Sequence, residues 1–109
     1  MATTYKVLGQ SNPAATTATT LYTVAAATSA VISTINICNQ ATSAGNFRVA
    51  IRPGGEALAA KHYIAYDTVL AGLDSIAMTM GISLATSDVV TVYASSSTFS
   101  FSVFGAEIT

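Results

Sequence analysis

Large apolar residues occupy every second position along several short segments of this chain. Near the end of the sequence, Phe99, Phe101 and Val103 alternate with serine residues, and the same alternation is found over 46–52 and 76–80. A period of two places apolar side chains on one face of a β-strand and small or polar ones on the other, which is typical of antiparallel sheets packed on one side. A helical period is almost absent, so the chain is predicted to be all-β.

About eight short strands are predicted, and turn residues separate them. Their ranges are 1–10, 21–24, 29–39, 46–52, 61–66, 76–80, 89–94 and 98–104. Strands spaced at roughly 8–14 residues fit a sandwich, a jelly roll or a small barrel. We therefore expect residues 1–109 to form a single domain, an antiparallel β-sandwich of jelly-roll-like type. The pattern alone does not separate a jelly roll from an immunoglobulin-like sandwich.

More detailed predictions can be made for some segments of the chain. The segment 29–39 is apolar at odd and even positions, so we expect it at the centre of a sheet with both faces covered. Pro53 and the two glycines after it should end the fourth strand, because proline cannot donate to a strand ladder. Residues 56–60 are predicted to form one helical turn, and 95–97 a tight hairpin between the last two strands.

The composition favours association with other proteins. Hydrophobic residues make up 51% of the chain, charged residues only 8%, and the net charge is -1. A nearly neutral surface of this kind promotes association, so we expect a homo-oligomer, for example a trimer, and further protein partners. The basic residues form no cluster that would suit a phosphate backbone, so no nucleic-acid partner is expected; they are Lys6, Arg48, Arg52 and Lys61.

The sequence predicts neither a membrane span nor a disulfide bond within the chain. No stretch approaches the roughly 18 apolar residues that a transmembrane helix needs, and the first ten residues predict a strand rather than an export signal. Cys38 is the only cysteine. It is expected to be a small buried apolar residue.

Residues that could support catalysis are few and scattered. His62 is the only histidine, and although Tyr63 and Asp67 follow it, no nucleophile turn of the G-x-S-x-G type is present. His62 is better interpreted as an ordinary surface or interface residue of a strand. Cys38 lies too far from it in sequence for ligand-type spacing, and the carboxylates are isolated or at turns. No catalytic, cofactor or metal site is predicted, and the chain is not expected to be an enzyme.

A candidate interaction surface can still be named. Arg48 and Arg52 share one parity of a strand and should both face outward, which suits forked pairing at an interface or a plain solvated strand face. The segment 61–67 is the densest polar and aromatic stretch, and its tyrosines either form a contact surface or cap the core. The candidate interface residues are Arg48, Arg52, Lys61, His62, Tyr63 and Tyr66.

Several strings of the sequence resemble a family of small virion structural proteins of tailed phages, including phages of cyanobacteria. These strings are 5–10 (YKVLGQ), 21–24 (LYTV), 47–53 (FRVAIRP), 61–67 (KHYIAYD), 81–82 (GI), 88–93 (DVVTVY) and 104–108 (FGAEI). The resemblance covers nearly the whole chain and implies a component of a phage particle. Members often carry a proline after the LYTV string, where this chain has three alanines, so that turn is expected to be looser.

Three functions follow as expectations. The leading one is a non-enzymatic capsid decoration (cement) protein that binds the major capsid protein of a virion. The second is a structural protein of the tail, baseplate or fibre-attachment region. The third, from a different class, is a surface carbohydrate-binding module, although such sites usually expose aromatic platforms and tryptophan is absent.

Overall fold

The computed structural model describes residues 2–109; Met1, with which the first predicted strand begins, lies outside the described residues. Over this range the chain forms nine strands and two short 3₁₀ turns, at Pro53–Gly55 and Ala60–His62. The strands are β1 (Thr3–Ser11), β2 (Thr19–Thr23), β3 (Ser29–Asn39), β4 (Gly45–Arg52), β5 (Tyr63–Leu70), β6 (Asp74–Met78), β7 (Ile82–Leu84), β8 (Val89–Ala94) and β9 (Phe99–Ile108).

The strands form two antiparallel sheets with a nested pairing pattern. In sheet A the order is β1-β9-β3, and β6 and β7 share the far side of β3; in sheet B the order is β2-β8-β4-β5. Thus β1 pairs with β9, β2 with β8, β3 with β6 and β7, and β4 with β5. A long hairpin rolled up on itself produces this nesting. With β6 and β7 counted as one interrupted strand, the topology is an eight-strand jelly roll, which confirms the predicted all-β sandwich.

The core lies between the two sheets and follows the predicted alternation at the end of the chain. Phe99, Phe101 and Val103 of β9 are all buried, as expected, and so are Phe47 and Val49 of β4. The ring of Phe47 lies 6.3 Å from those of both Phe99 and Phe101, measured between centroids. These residues bring the middle of sheet A against the middle of sheet B.

β-Bulges change which side chains face the core. In β3 the register against β9 shifts between Ile32 and Thr34, so Ser33 is an extra residue. The bulge reverses the parity: Ile32 faces the core, as does Ile35, whereas Val31 is exposed. The expectation that both faces of this strand are covered was therefore wrong. Its outer face is partly open to solvent, and Cys38, expected to be buried, is only half-buried there.

Two predictions about the second half of sheet A were also wrong. The apolar residues of 76–80 were expected to be buried. Met78 packs against the core, but Ile76, in the edge strand β6, and Met80, which follows that strand, are exposed. The sequence pattern also missed β7, a strand of only three residues that pairs with the start of β3. A segment this short shows no clear alternation.

Two of the predicted connections differ in the structure. Residues 56–59 form no helical turn; the 3₁₀ turns lie on either side of them. The connection over 95–98 is not a hairpin, because β8 belongs to sheet B and β9 to sheet A. It crosses from one sheet to the other, and the main-chain N–H of Ser95 donates to the carbonyl of Asn46. The polar residues of 95–97 correctly indicated a turn, but sequence pattern does not specify which strands a turn joins.

The buried side chain of Asn39 joins three connections at one end of the sandwich. Its Nδ2 donates to the carbonyls of Ser43 and Leu70, at 3.0 and 3.3 Å, and lies 3.4 Å from the carbonyl oxygen of Ala71. Its Oδ1 accepts from the hydroxyl of Thr98, at 3.1 Å, and from the main-chain N–H of residue 41. These bonds hold the connections after β3, β5 and β8 together.

Candidate interaction surfaces

A β-bulge on the outer face of sheet B organises the first candidate surface. The register of β4 against β5 shifts next to Arg48, so that Tyr66 and Asp67 both lie opposite this one residue. Asp67 has a φ of 48°, in the left-handed region that aspartate tolerates better than most side chains. The bulge therefore presents an aromatic ring and a carboxylate together to Arg48.

The guanidinium of Arg48 is held on three sides. Its Nε donates to Oδ1 of Asp67 at 2.6 Å and its Nη2 to Oδ2 at 3.2 Å, which makes a forked pair. Its Cζ lies 4.2 Å from the ring centroids of both Tyr66 and Tyr93, so the cation is sandwiched between two aromatic faces. The hydrogen bond that Arg48 donates to Asp67 raises the pKa of Arg48 above its already high ordinary value. Arg48 thus fixes two tyrosines on this face.

Tyr63 extends this cluster towards an open groove. Its ring lies 4.8 Å from that of Tyr66 in an edge-to-face arrangement. Tyr63 is half-buried, whereas 57% of Tyr66 is exposed, so Tyr66 contributes contact area and does not cap the core. The groove has a volume of about 620 Å³ and is lined by Leu58, Ala59, Ala60, Tyr63 and Tyr66. Its walls are mostly apolar.

We call Arg48, Tyr63, Tyr66, Asp67 and Tyr93 the Arg48 cluster. Arg52 does not join it. Its Nε donates to the carbonyl of Glu56 at 2.7 Å, its Nη2 to the carbonyl of Gly55 at 3.1 Å, and its Nη1 to the hydroxyl of Thr91 at 3.3 Å. Ala50, which lies between the two arginines on the same parity of β4, is completely buried. The connection from β4 to β5 folds back over this end of sheet B, and Arg52 binds it there.

His62 corrects the sequence-based prediction most clearly. It ends a 3₁₀ turn before β5 and only 4% of it is exposed, so it is neither a surface strand residue nor available to an interface. Its Nδ1 accepts the main-chain N–H of Ala59 at 3.0 Å, so the proton lies on Nε2, which donates to Oε1 of Glu56 at 3.1 Å. The same carboxylate lies 3.4 Å from Nζ of Lys61, which is highly exposed. These hydrogen bonds to His62 and Lys61 lower the pKa of Glu56.

A second candidate surface lies on the outer face of sheet A. We call it the sheet A patch. It consists of Tyr5 and Val7 of β1, Val31 of β3, and Phe104, Ala106 and Ile108 of β9, which share a shallow apolar groove of about 630 Å³. Tyr5 is 84% exposed and Val7 49%. Such residues brought together on one face indicate a binding surface more strongly than the same residues scattered singly.

An ion pair lies on the opposite side of the same strands. Nζ of Lys6 is 2.8 Å from Oε1 of Glu107, and the hydroxyl of Tyr22 in sheet B donates to Oε2 at 2.6 Å. The hydrogen bonds from Lys6 and Tyr22 lower the pKa of Glu107. Burial, together with the hydrogen bond to this carboxylate, raises the pKa of Tyr22. These three side chains connect the edge of sheet A to sheet B, and Glu107 neutralises the charge of Lys6 within the chain.

Among residues 2–109, no three histidine, cysteine, aspartate or glutamate side chains lie where together they would hold a metal ion. No helix in this range is long and apolar enough to span a membrane.

The geometry defines a jelly-roll domain with two candidate interaction surfaces, the Arg48 cluster and the sheet A patch. Comparison of the chain with protein-family models, with curated proteins and with solved structures gives no significant match.

The sequence named three members of the Arg48 cluster but missed the others. Arg48, Tyr63 and Tyr66 lie together, and the pairing of Arg48 with Asp67 follows from a bulge that has no clear sequence signal. Tyr93 lies directly opposite Arg48 in β8, a register that sequence alone does not give. The sheet A patch was missed because residues 5, 7 and 9 alternate regularly in the sequence, which gives no sign of the bulge that separates them. The register of β1 shifts between Val7 and Gly9, and Gly9 lies on the core side.

Proposed function

We propose that this chain is a non-enzymatic structural subunit of a tailed-phage virion, and that it binds the capsid shell as a decoration (cement) protein. The observation that carries the proposal is the sheet A patch. Tyr5 is 84% exposed and Val7 49%, beside Phe104 and Val31, on a chain with only 8% charged residues. A face of this kind is suited to being covered by other subunits.

The fold supports this assignment by analogy. Jelly rolls are common among viral capsid proteins and lectins, but a fold hosts many functions and does not specify one. The resemblance of the sequence strings to small phage virion proteins points in the same direction. Fold and resemblance together favour a particle component, and the patch supplies the surface through which it would bind.

The groups that most often perform acid–base chemistry have structural partners in this chain. His62 is buried, and both of its ring nitrogens are engaged, with the main chain of residue 59 and with Glu56. Asp67 pairs with Arg48, and Glu107 with Lys6 and Tyr22. Each interaction fixes a loop or a strand edge, which supports a structural role for these side chains.

Cryo-electron microscopy of particles with and without this protein tests the location. The expected result is loss of density from the outer shell, with the tail unchanged and hundreds of copies missing per particle. Loss of density from the tail, baseplate or fibre-attachment region, at about a dozen copies or fewer, would overturn the decoration role in favour of the tail alternative. Particles that never contain the protein would overturn the virion assignment.

A second candidate function is binding of a surface carbohydrate. The Arg48 cluster favours it, because Tyr66 presents an exposed ring beside an open groove and sugars stack on such rings. A glycan array with the wild-type chain and with the Tyr63→Ala and Tyr66→Ala variants tests it. Binding lost in the Tyr66→Ala variant would support this function; no binding, or binding that survives both changes, would argue against a role for the cluster.

A further inference from the structure

The hydrogen bonds between the two ends of the chain define which backbone groups of β1 remain free. Ala2 and Thr109 each donate to the other's carbonyl at 2.9 Å, so they form a hydrogen-bonded pair of the β1–β9 ladder. Such pairs alternate with non-bonded ones in an antiparallel ladder. The N–H and C=O groups of Thr3, Tyr5 and Val7 therefore point away from β9, towards the open edge of sheet A.

This edge is regular and apolar, whereas the edge strand β2 of sheet B is bulged between Thr20 and Tyr22 and β7 has only three residues. From Thr3 to Val7 the register against β9 is unbroken. The pairing of the edge strand β5 with β4 is irregular, because it shifts on both sides of Val49 in β4. β6 is also regular, but its outward-facing side chains, Ser75 and Ala77, are small. Natural proteins commonly block open edges with bulges, prolines or charges. Between Thr3 and Val7 the only charge is that of Lys6, which Glu107 neutralises.

We propose that two copies of this chain pair through β1, antiparallel, across a twofold axis at Tyr5. In this register Tyr5 faces Tyr5 of the second copy, and Thr3 faces Val7. Every free N–H and C=O of Thr3, Tyr5 and Val7 then gains a partner, because these are the residues whose groups point outward in both copies. The inference deepens the proposed function, on which it rests, by naming the partner that adjoins the sheet A patch along β1.

The side chains are compatible with this register on both faces. On the outer face, Thr3, Tyr5 and Val7 of each copy extend the sheet A patch into one apolar surface, and aromatic and β-branched cross-strand pairs stabilise such ladders. On the inner face, Lys6 lies opposite Thr4 of the second copy and keeps its own Glu107 within 2.8 Å. The joined edge therefore carries no net charge, and the interface is self-complementary, as a twofold contact requires.

Analytical ultracentrifugation of the full chain tests the pairing. A concentration-dependent dimer is expected. Tyr5→Pro removes an N–H that has no partner within the subunit, so it should leave the fold intact, as checked by circular dichroism, and weaken the dimer by about 30-fold or more through loss of the central pair of hydrogen bonds. Tyr66→Ala, on the opposite sheet, is the matched control and should leave the dimer unchanged. A monomer at all concentrations, or a dimer unaffected by Tyr5→Pro, would overturn the inference.

Cysteine cross-linking tests the register directly and does not depend on the proline variant. In a Cys38→Ser background, Tyr5→Cys should form an intermolecular disulfide, because the hydrogen-bonded pair on the axis brings the two Cα atoms to about 5.5 Å. Thr3→Cys should not, since the two copies of this residue would lie roughly 14 Å apart. Equal cross-linking of both variants would exclude the twofold at Tyr5.

The two proposals fail in different ways. A cross-linked dimer that is never found on phage particles would overturn the virion assignment and leave the pairing intact. A particle-bound chain whose Tyr5→Cys variant does not cross-link, either free or on the particle, would overturn the pairing and leave the virion assignment intact.

Discussion

At the scale of single residues, Asn39 has the most concentrated structural role. Its side chain is 1% exposed, yet its amide nitrogen and oxygen bind main-chain or hydroxyl groups from the connections after β3, β5 and β8. A buried amide satisfied in this way holds loops that have few apolar contacts of their own. Nothing in the sequence singles out this residue, because asparagine at a strand end is common.

Replacement of Asn39 should therefore be costly. Asn39→Asp preserves the size and the acceptors but removes the donors to the carbonyls of Ser43 and Leu70, so we expect a loss of about 2–4 kcal/mol in the free energy of unfolding. Urea denaturation measures it. Asn36→Asp, on the outer face of the same strand, is the control and should change the value by less than about 1 kcal/mol. Equal effects of the two changes would contradict the role given to Asn39.

Glu107 should make stability depend on pH. Its folded pKa lies below the ordinary value of 4.5 because Lys6 and Tyr22 bind the carboxylate. A lowered folded pKa means that the stabilisation is present above the unfolded value and is lost as the pH falls through the folded one. Unfolding free energies measured from pH 7 to pH 2 should therefore decline below about pH 4.5, and Glu107→Gln should show a shallower decline.

Removal of the hydroxyl of Tyr22 tests the same site from the other sheet. Tyr22→Phe keeps the buried ring but loses the 2.6 Å bond to Glu107. We expect a loss of about 1–2 kcal/mol at pH 7, because the bond joins a buried phenol to a charged acceptor. The difference between wild type and variant should shrink at pH 2, when the carboxylate is protonated. A difference that does not vary with pH would show that the hydroxyl acts independently of the Glu107 charge.

At the scale of elements, bulges and tight turns decide which residues face outward. The alternation in sequence correctly predicted the strands and their inward residues in β9, where the core-facing parity is unbroken. It failed in β1 and β3. In each strand one extra residue changes which positions face the core, and Val7 and Val31 lie on the outer face. It also failed to bring Asp67 to Arg48. A bulge adds one residue to a strand and has no periodic signature, so the place of Asp67 in the Arg48 cluster and the whole sheet A patch were beyond prediction.

The turn between β5 and β6 offers a stabilising substitution. Leu73 is 72% exposed and has a φ of 57°, a left-handed conformation that disfavours any residue with a Cβ. Leu73→Gly should raise the free energy of unfolding by about 0.5 kcal/mol, since relief of strain exceeds the entropy that glycine loses on folding. Thermal denaturation measures the change. Leu58→Gly, at an exposed leucine without a positive φ, is the control and should not stabilise the protein.

At the scale of the whole molecule, the nested pairing sets the folding rate. Every ladder except β4–β5 joins strands that have at least one other strand between them in sequence, and β1 pairs with the last strand. Such non-local pairing makes folding slow, because loops must close before contacts form. We expect refolding from urea in milliseconds to seconds in stopped-flow fluorescence of the tyrosines. Refolding in microseconds would be incompatible with formation of this topology in the rate-limiting step.

The sequence predicted the fold class but not the order of strands. Alternation and turn residues gave about eight strands and a sandwich, and both are local properties. The jelly-roll order depends on which strands meet, and this is decided by long-range packing of residues such as Phe47 against Phe99 and Phe101. The short β7 and the crossing at 95–98 were missed for the same reason.

The meeting of β1 and β9 also has a consequence during translation. β1 leaves the ribosome first, and its partner in the same chain is synthesised about 90 residues later, a delay of roughly 5–20 s at ordinary elongation rates. During that interval β1 has no neighbouring strand to pair with on either side. Neighbouring nascent chains on one messenger RNA expose the same segment at the same time, so subunits of this topology have an opportunity to meet before either has finished folding.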